Sequence, residues 1–85
     1  MKTIYKYTLD LKDKQQIELP LDAEILSVQK QDVNICLWAK VTNTFPKKKV
    51  DIYIYGTGTE INEDNLDYTG TVQDGIYIWH VFTKK

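Results

Sequence analysis

Apolar and polar side chains change places at every second position along most of this chain, and helical periodicity is absent. A period of two sends alternate side chains to opposite faces of a pleated ribbon, so the chain must fold as strands that share a buried face. In residues 3–9, "TIYKYTL", Tyr5, Tyr7 and Leu9 share a face. "QIELP" sets Ile17 and Leu19 together, and Pro20 ends that strand because proline cannot donate to a ladder. "EILSVQK" aligns Leu26 with Val28, and "VNICLWAKV" aligns Val33, Ile35, Leu37, Ala39 and Val41. "VDIYIY" turns Val50, Ile52 and Ile54 inward and Tyr53 and Tyr55 outward, and "YTGTVQ" and "IYIWHVF" form the last pair. "QDVN" reads as a tight turn. Asp74-Gly75 is a hairpin signal, because the mirror-image two-residue turns need positive φ. Two longer loops are expected, "TNTFPKKK" over 42–49 and "GTGTEINEDNLD", where "EINEDN" (60–65) is the one candidate turn of helix. The pattern predicts an all-β fold: a compact sandwich or partly open barrel of about seven antiparallel strands, in a single domain over residues 1–85.

Size and chemistry narrow the functions open to such a fold. A domain of this length buries only roughly 60–65% of its unfolded surface, which leaves little room for a deep enzymatic cleft. Cys36 is the single cysteine, so no intramolecular disulfide staples the fold, as small secreted domains usually require. The opening "MKTIYKYTLD" lacks the apolar core of a signal peptide, and no run approaches 18 apolar residues. The expected location is a host cytoplasm, and a virion component assembled there would read alike. Met1 followed at once by a strand is expected of a complete small gene product. The net charge of −1 argues against a long nucleic acid as partner, and no membrane partner is expected.

Groups for catalysis are few. His80 falls in phase with Ile76, Ile78 and Phe82, which predicts a core or rim histidine held by a backbone carbonyl. Cys36, beside Trp38 in the longest alternating run, reads as a packed apolar residue. One histidine and one cysteine do not make a zinc site, and the acidic stretch Glu60, Glu63, Asp64 and Asp67 lacks the spacing and glycine of a calcium loop. No enzyme activity, metal or cofactor is expected.

"YGTGTE" (55–60) has two readings. It follows a strand but lacks the helix, the lysine and the spacing of nucleotide-binding fingerprints. As structure, Gly56 and Gly58 let the chain turn a corner. As a site, the backbone from Gly56 through Thr57 and Gly58 to Thr59 forms a nest of N–H groups for an anion. Lys47, Lys48 and Lys49 open the same strand about 20 Å away. They could serve that nest only from a neighbouring protomer or through the loop. The aromatics say more. If the aliphatic faces form the core, Tyr53, Tyr55, Trp38 and Trp79 face outward on three strands, where an interface or a stacked base would use them.

Several segments together carry a resemblance: "MKTIYKY", "IELP" with "ILSVQ", "ICLWAKV", "IYGTGTEI", and "YTGTVQ" with "WHVF". On these the chain resembles, nearly end to end, a family of small proteins encoded by tailed bacteriophages and known as a domain of unknown function. The resemblance implies a phage origin and an all-β fold, and implies no activity or site residue. The resulting expectation is a homo-oligomeric, non-enzymatic binding protein. It would act by occupancy on a host or phage protein such as a host defence component, or by sequestering a small phosphorylated ligand such as a nucleotide signal. Attachment to a capsid or tail is the alternative.

Overall fold

A computed structural model describes residues 1–84. Seven antiparallel strands form two sheets stacked as an open, sandwich-like fold. The three-stranded sheet has the order β1 (Lys2–Leu9), β4 (Asn34–Thr42), β3 (Glu24–Gln31). The four-stranded sheet has the order β2 (Lys14–Pro20), β5 (Lys47–Gly56), β7 (Tyr77–Lys84), β6 (Asp67–Asp74). Among the described residues, no strand closes the sheets into a barrel. They approach each other along one side, where β3 packs on β6 and a side chain at Gly70 would collide with Val28.

Alternation explains the core. Ile35, Leu37, Ala39 and Val41 from β4 meet Val50, Ile52 and Ile54 from β5, and all seven are buried. Burying a large aliphatic side chain fully contributes about 1.5–3 kcal/mol, so these central strands supply much of the driving force. Leu9 closes the core near the β1–β2 connection, and Leu19 closes it at the other end of β2, beside Pro20. Cys36 is enclosed too, on the opposite face of β4, with its thiol 3.9 Å from the Thr8 hydroxyl.

Several local expectations are corrected. Leu26 does not share a face with Val28: a bulge between Ile25 and Ser27 shifts the phase, so Ile25 and Val28 turn inward and Leu26 is 46% exposed. A bulge adds a residue to one strand and breaks strict alternation, which no count of twos can register. Val33 is not the first inward residue of β4. It sits in the two-residue turn with Asp32 (φ 56°) and is 87% exposed. The last hairpin turns on Gly75-Ile76, one residue later than Asp74-Gly75, with Gly75 at φ 62° and Asp74 already paired with Tyr77. Lys47, Lys48 and Lys49 belong to β5 rather than to a loop, opposite Pro20, Leu19 and Glu18 of β2. Residues 60–65 form no helical turn.

The largest correction concerns β7. The register with β5 sets Ile52 opposite Thr83, Ile54 opposite Val81, and Gly56 opposite Trp79. The inner face of β5 therefore draws Thr83, Val81 and Trp79 inward, and sends Ile78, His80 and Phe82 to the outer face. Trp79 packs against the core, and His80 is not a core residue. Alternation alone cannot choose between two faces that are both apolar.

Candidate functional site

At one end of the four-stranded sheet, β5 leaves its neighbour early. Pairing with β7 stops at Gly56–Trp79, while β7 continues back to Tyr77 against β6 alone. The chain turns away through Gly56-Thr57-Gly58-Thr59, where the Thr59 N–H donates to the Gly56 carbonyl at 3.1 Å. Gly58 takes φ 88° at the third position, as a type II turn requires. A groove of about 490 Å³ opens between this turn and the tip of the β6–β7 hairpin.

Trp79 and Tyr77 form one wall, their rings stacked with centroids 5.7 Å apart. Gly56 is shaped by the tryptophan: a Cβ there would lie 3.2 Å from indole Cζ3. Thr57 and Thr59 make the opposite side, and Ile76 and Ile78 the rim. Ile76 is 91% exposed, an unusual position for isoleucine, and Tyr77 and Ile78 are exposed beside it. Among the described residues, no ionisable group other than the Tyr77 phenol lines the groove.

A polar chain fixes the turn to the sheet. His80 Nε2 lies 2.9 Å from the Thr57 hydroxyl, and Nδ1 lies 3.2 Å from the Thr71 hydroxyl, which also bonds the Tyr68 phenol. His80 is thus held by hydroxyls of two neighbouring segments rather than by a backbone carbonyl. The indole N–H of Trp79 is enclosed without a hydrogen-bond partner of normal geometry. Asp74, at the hairpin tip, feels that N–H weakly. Its carboxyl is held below the usual range chiefly by the hydrogen bond from Lys30, 2.8 Å away.

The remaining sequence-predicted site residues lie elsewhere. Tyr53 and Tyr55 stand on the outer face of the four-stranded sheet, rings parallel within 6° and 6.3 Å apart, with Phe82 edge-on to Tyr55. The segment after the turn folds back over them: Thr59, Glu60 and Asn62 share a smaller pocket of about 300 Å³ with both tyrosines. Glu63 bonds Lys84 at 2.9 Å, and the Lys14 ammonium sits over the Tyr53 ring. That cover leaves Tyr53 only 5% exposed, so it is not a free outward aromatic. The Lys84 contact draws the Glu63 carboxyl below its ordinary range, and burial pushes the Tyr55 phenol up. Trp38 is half-buried in the other sheet, between Lys6 and Ser27. Lys47–Lys49 occupy the far end of β5, roughly 30 Å from the turn at strand spacing.

The groove therefore joins Gly56, Thr57, Thr59 and Trp79, while Gly58 faces open space at the turn and Tyr53, Tyr55, Trp38 and the lysines lie apart.

The chain belongs to the DUF7352 family. The model of this family, a domain of unknown function, matches residues 1–85. No curated protein and no solved structure matches the chain.

Within this DUF7352 domain, the sequence reading missed Ile76, Tyr77 and Ile78 as a surface and Thr71 as a partner of His80. One signal was available. An isoleucine directly after Asp74-Gly75 places a large apolar side chain at a hairpin tip, where burial within the same chain is hardest.

Proposed function

We propose that this is a phage-encoded, non-enzymatic protein that acts by occupancy, and that the end groove holds a segment of a partner protein, with a host defence component as the partner class. One observation carries the reading: an apolar hairpin tip, Ile76-Tyr77-Ile78, stands in solvent beside an open groove walled by Trp79. Exposed aromatic and aliphatic side chains around a concave surface are the usual composition of a protein contact.

The same geometry favours a protein over a phosphorylated ligand. The Thr59 amide is used within the turn, the chain contains no arginine in its sequence, and the lysine run lies at the other end of β5. A phosphate in this groove would meet threonine hydroxyls, and no lysine is among the described residues that line it.

Quantitative affinity enrichment from a bacterial lysate tests the assignment, with wild type, Ile76→Asp and Lys48→Glu as baits. Ile76 is so exposed that aspartate there leaves the fold intact. The proposal expects Ile76→Asp to lose what wild type and Lys48→Glu retain. Loss with Lys48→Glu and retention with Ile76→Asp would move the contact to the opposite end of the sheet. Mass spectrometry of purified phage particles addresses attachment to a virion: stoichiometric presence there replaces the host partner with a phage one.

A further inference from the structure

Four strands end a sheet: β1 and β3 in one, β2 and β6 in the other. An unpaired edge is a row of free N–H and C=O groups that templates pairing with another chain, and proteins blunt it with proline, bulges or cover. β3 and β6 each carry a bulge and pack on one another. β2 is shorter, ends in Pro20, and has its Lys14 ammonium engaged over Tyr53. Among the described residues, β1 has neither proline, bulge nor cover, and its edge is marked only by the two lysines Lys2 and Lys6. Its eight residues contain no proline, glycine or bulge and pair in unbroken register with β4 alone. The charge near its middle is turned along the sheet, where Lys6 Nζ donates to Gln31 Oε1 at 2.8 Å. Ile4 is 56% exposed, and Tyr5 beside it is exposed as well.

We infer that β1 is a homodimerisation edge, through which two copies of this chain pair antiparallel about a two-fold axis and fuse their three-stranded sheets into one. The charges select the register. A two-fold that keeps both inner faces on the same side must centre on a residue. Centring on Ile4 sets Lys2 opposite Lys6 of the second copy, and centring on Lys6 sets the two Lys6 side chains opposite each other. Like charges directly opposite destabilise a pair. Centring on Thr3 or Tyr7 shortens the paired stretch. Centring on Tyr5 pairs Lys2 with Thr8, Thr3 with Tyr7 and Ile4 with Lys6, and opposes no two lysines. The contact is isologous and closes on itself, so it yields a dimer rather than a fibre. It lies apart from the end groove and does not depend on what that groove holds.

Sedimentation velocity on the full chain, from micromolar to millimolar, tests the edge and its register together. Wild type is expected to dimerise with rising concentration. Ile4→Glu places a carboxylate opposite Lys6 twice per dimer and tightens association, whereas Ile4→Lys opposes lysines twice and loosens it, each by about fivefold or more. The site is exposed, and circular dichroism verifies that both variants fold. Tyr5→Cys on the axis forms a disulfide-linked dimer under mild oxidation, since opposed strand residues fall within the span of a disulfide. Buried Cys36 stays reduced in the same sample. A wild type that stays monomeric throughout, Ile4 variants that shift in the same direction, or a dimer that Tyr5→Cys does not cross-link would each overturn the inference.

Discussion

Gly70→Ala tests the line along which the two sheets meet. The added Cβ would stand 3.1 Å from Val28 Cβ and 3.4 Å from its Cγ2. Carbon atoms rest at about 3.5–4.0 Å, so the methyl is several tenths of an ångström too close. Valine is stiff about χ1 and cannot rotate clear, so β6 must move off β3. Overpacking of this kind costs about 1–3 kcal/mol. Losing glycine's freedom in the unfolded chain returns about 0.4–1 kcal/mol. The net expectation is a loss of about 1–2 kcal/mol. At an m-value near 1 kcal/mol/M in urea, the midpoint falls by about 1–2 M. The thermal midpoint falls by about 4–16 °C. Val28→Ala alone leaves a cavity and also destabilises, by about 1–3 kcal/mol. In the double variant Val28 Cβ still stands 3.1 Å from the new methyl and only the 3.4 Å contact with Cγ2 is relieved, so the two losses add to within about 0.5 kcal/mol. Urea unfolding of the four proteins, monitored by tryptophan fluorescence, measures all of this. A Gly70→Ala midpoint at or above wild type, or a double variant as stable as Val28→Ala alone, would refute the close approach of β3 and β6.

Three further outcomes are expected. Gly58→Ala forces a Cβ into φ 88° with open space around it, so stability drops by about 1 kcal/mol in urea unfolding while partner capture is unchanged; capture lost at full stability would restore an anion role to the turn. The Asp22 carboxyl is held below its usual range first by the Thr42 hydroxyl and then by the Thr42 amide. Its folded pKa lies below the unfolded one, so its contribution is complete above about pH 5 and is lost as pH falls through the folded value. The thermal midpoint of Asp22→Asn should therefore show a shallower acid slope, small because the group faces solvent, and identical slopes would contradict the contact. His80→Ala releases the Thr57 hydroxyl, so amide exchange at residues 57–59 should quicken while β4 and β5 stay protected; an unchanged rate at the turn would show that the histidine does not anchor it.

What the sequence disclosed followed from how much each feature depends on neighbours along the chain. Strand existence and the aliphatic core of β4 and β5 were legible, because Leu37, Ala39, Ile52 and Ile54 alternate with polar or aromatic residues and a period of two has one structural meaning. The face of β7 was not. "IYIWHVF" is apolar at both phases, and only its pairing with β5 decides that Trp79 and Val81 go inward. The bulge after Ile25 hid the phase of β3 for the same reason, since it arises from how β3 meets β4. At the site, the glycine-threonine turn was legible as a corner, and Gly58 bears that out at φ 88°. Its company was not legible. Thr57 with His80, and Gly56 with Trp79, are contacts between segments more than 20 residues apart, made by a strand register that local spacing does not encode.

The central claim, that the end groove is occupied by a protein, is tested most directly by a native mass spectrum of the untagged protein, purified gently from a bacterial lysate, beside the same spectrum for Ile76→Asp. The account predicts a species heavier by the mass of a protein chain other than this one in the wild-type sample and its absence in the variant, while a homodimer through β1 appears in both. A wild-type adduct of nucleotide size, or a complex with a different protein chain that survives Ile76→Asp intact, would contradict it.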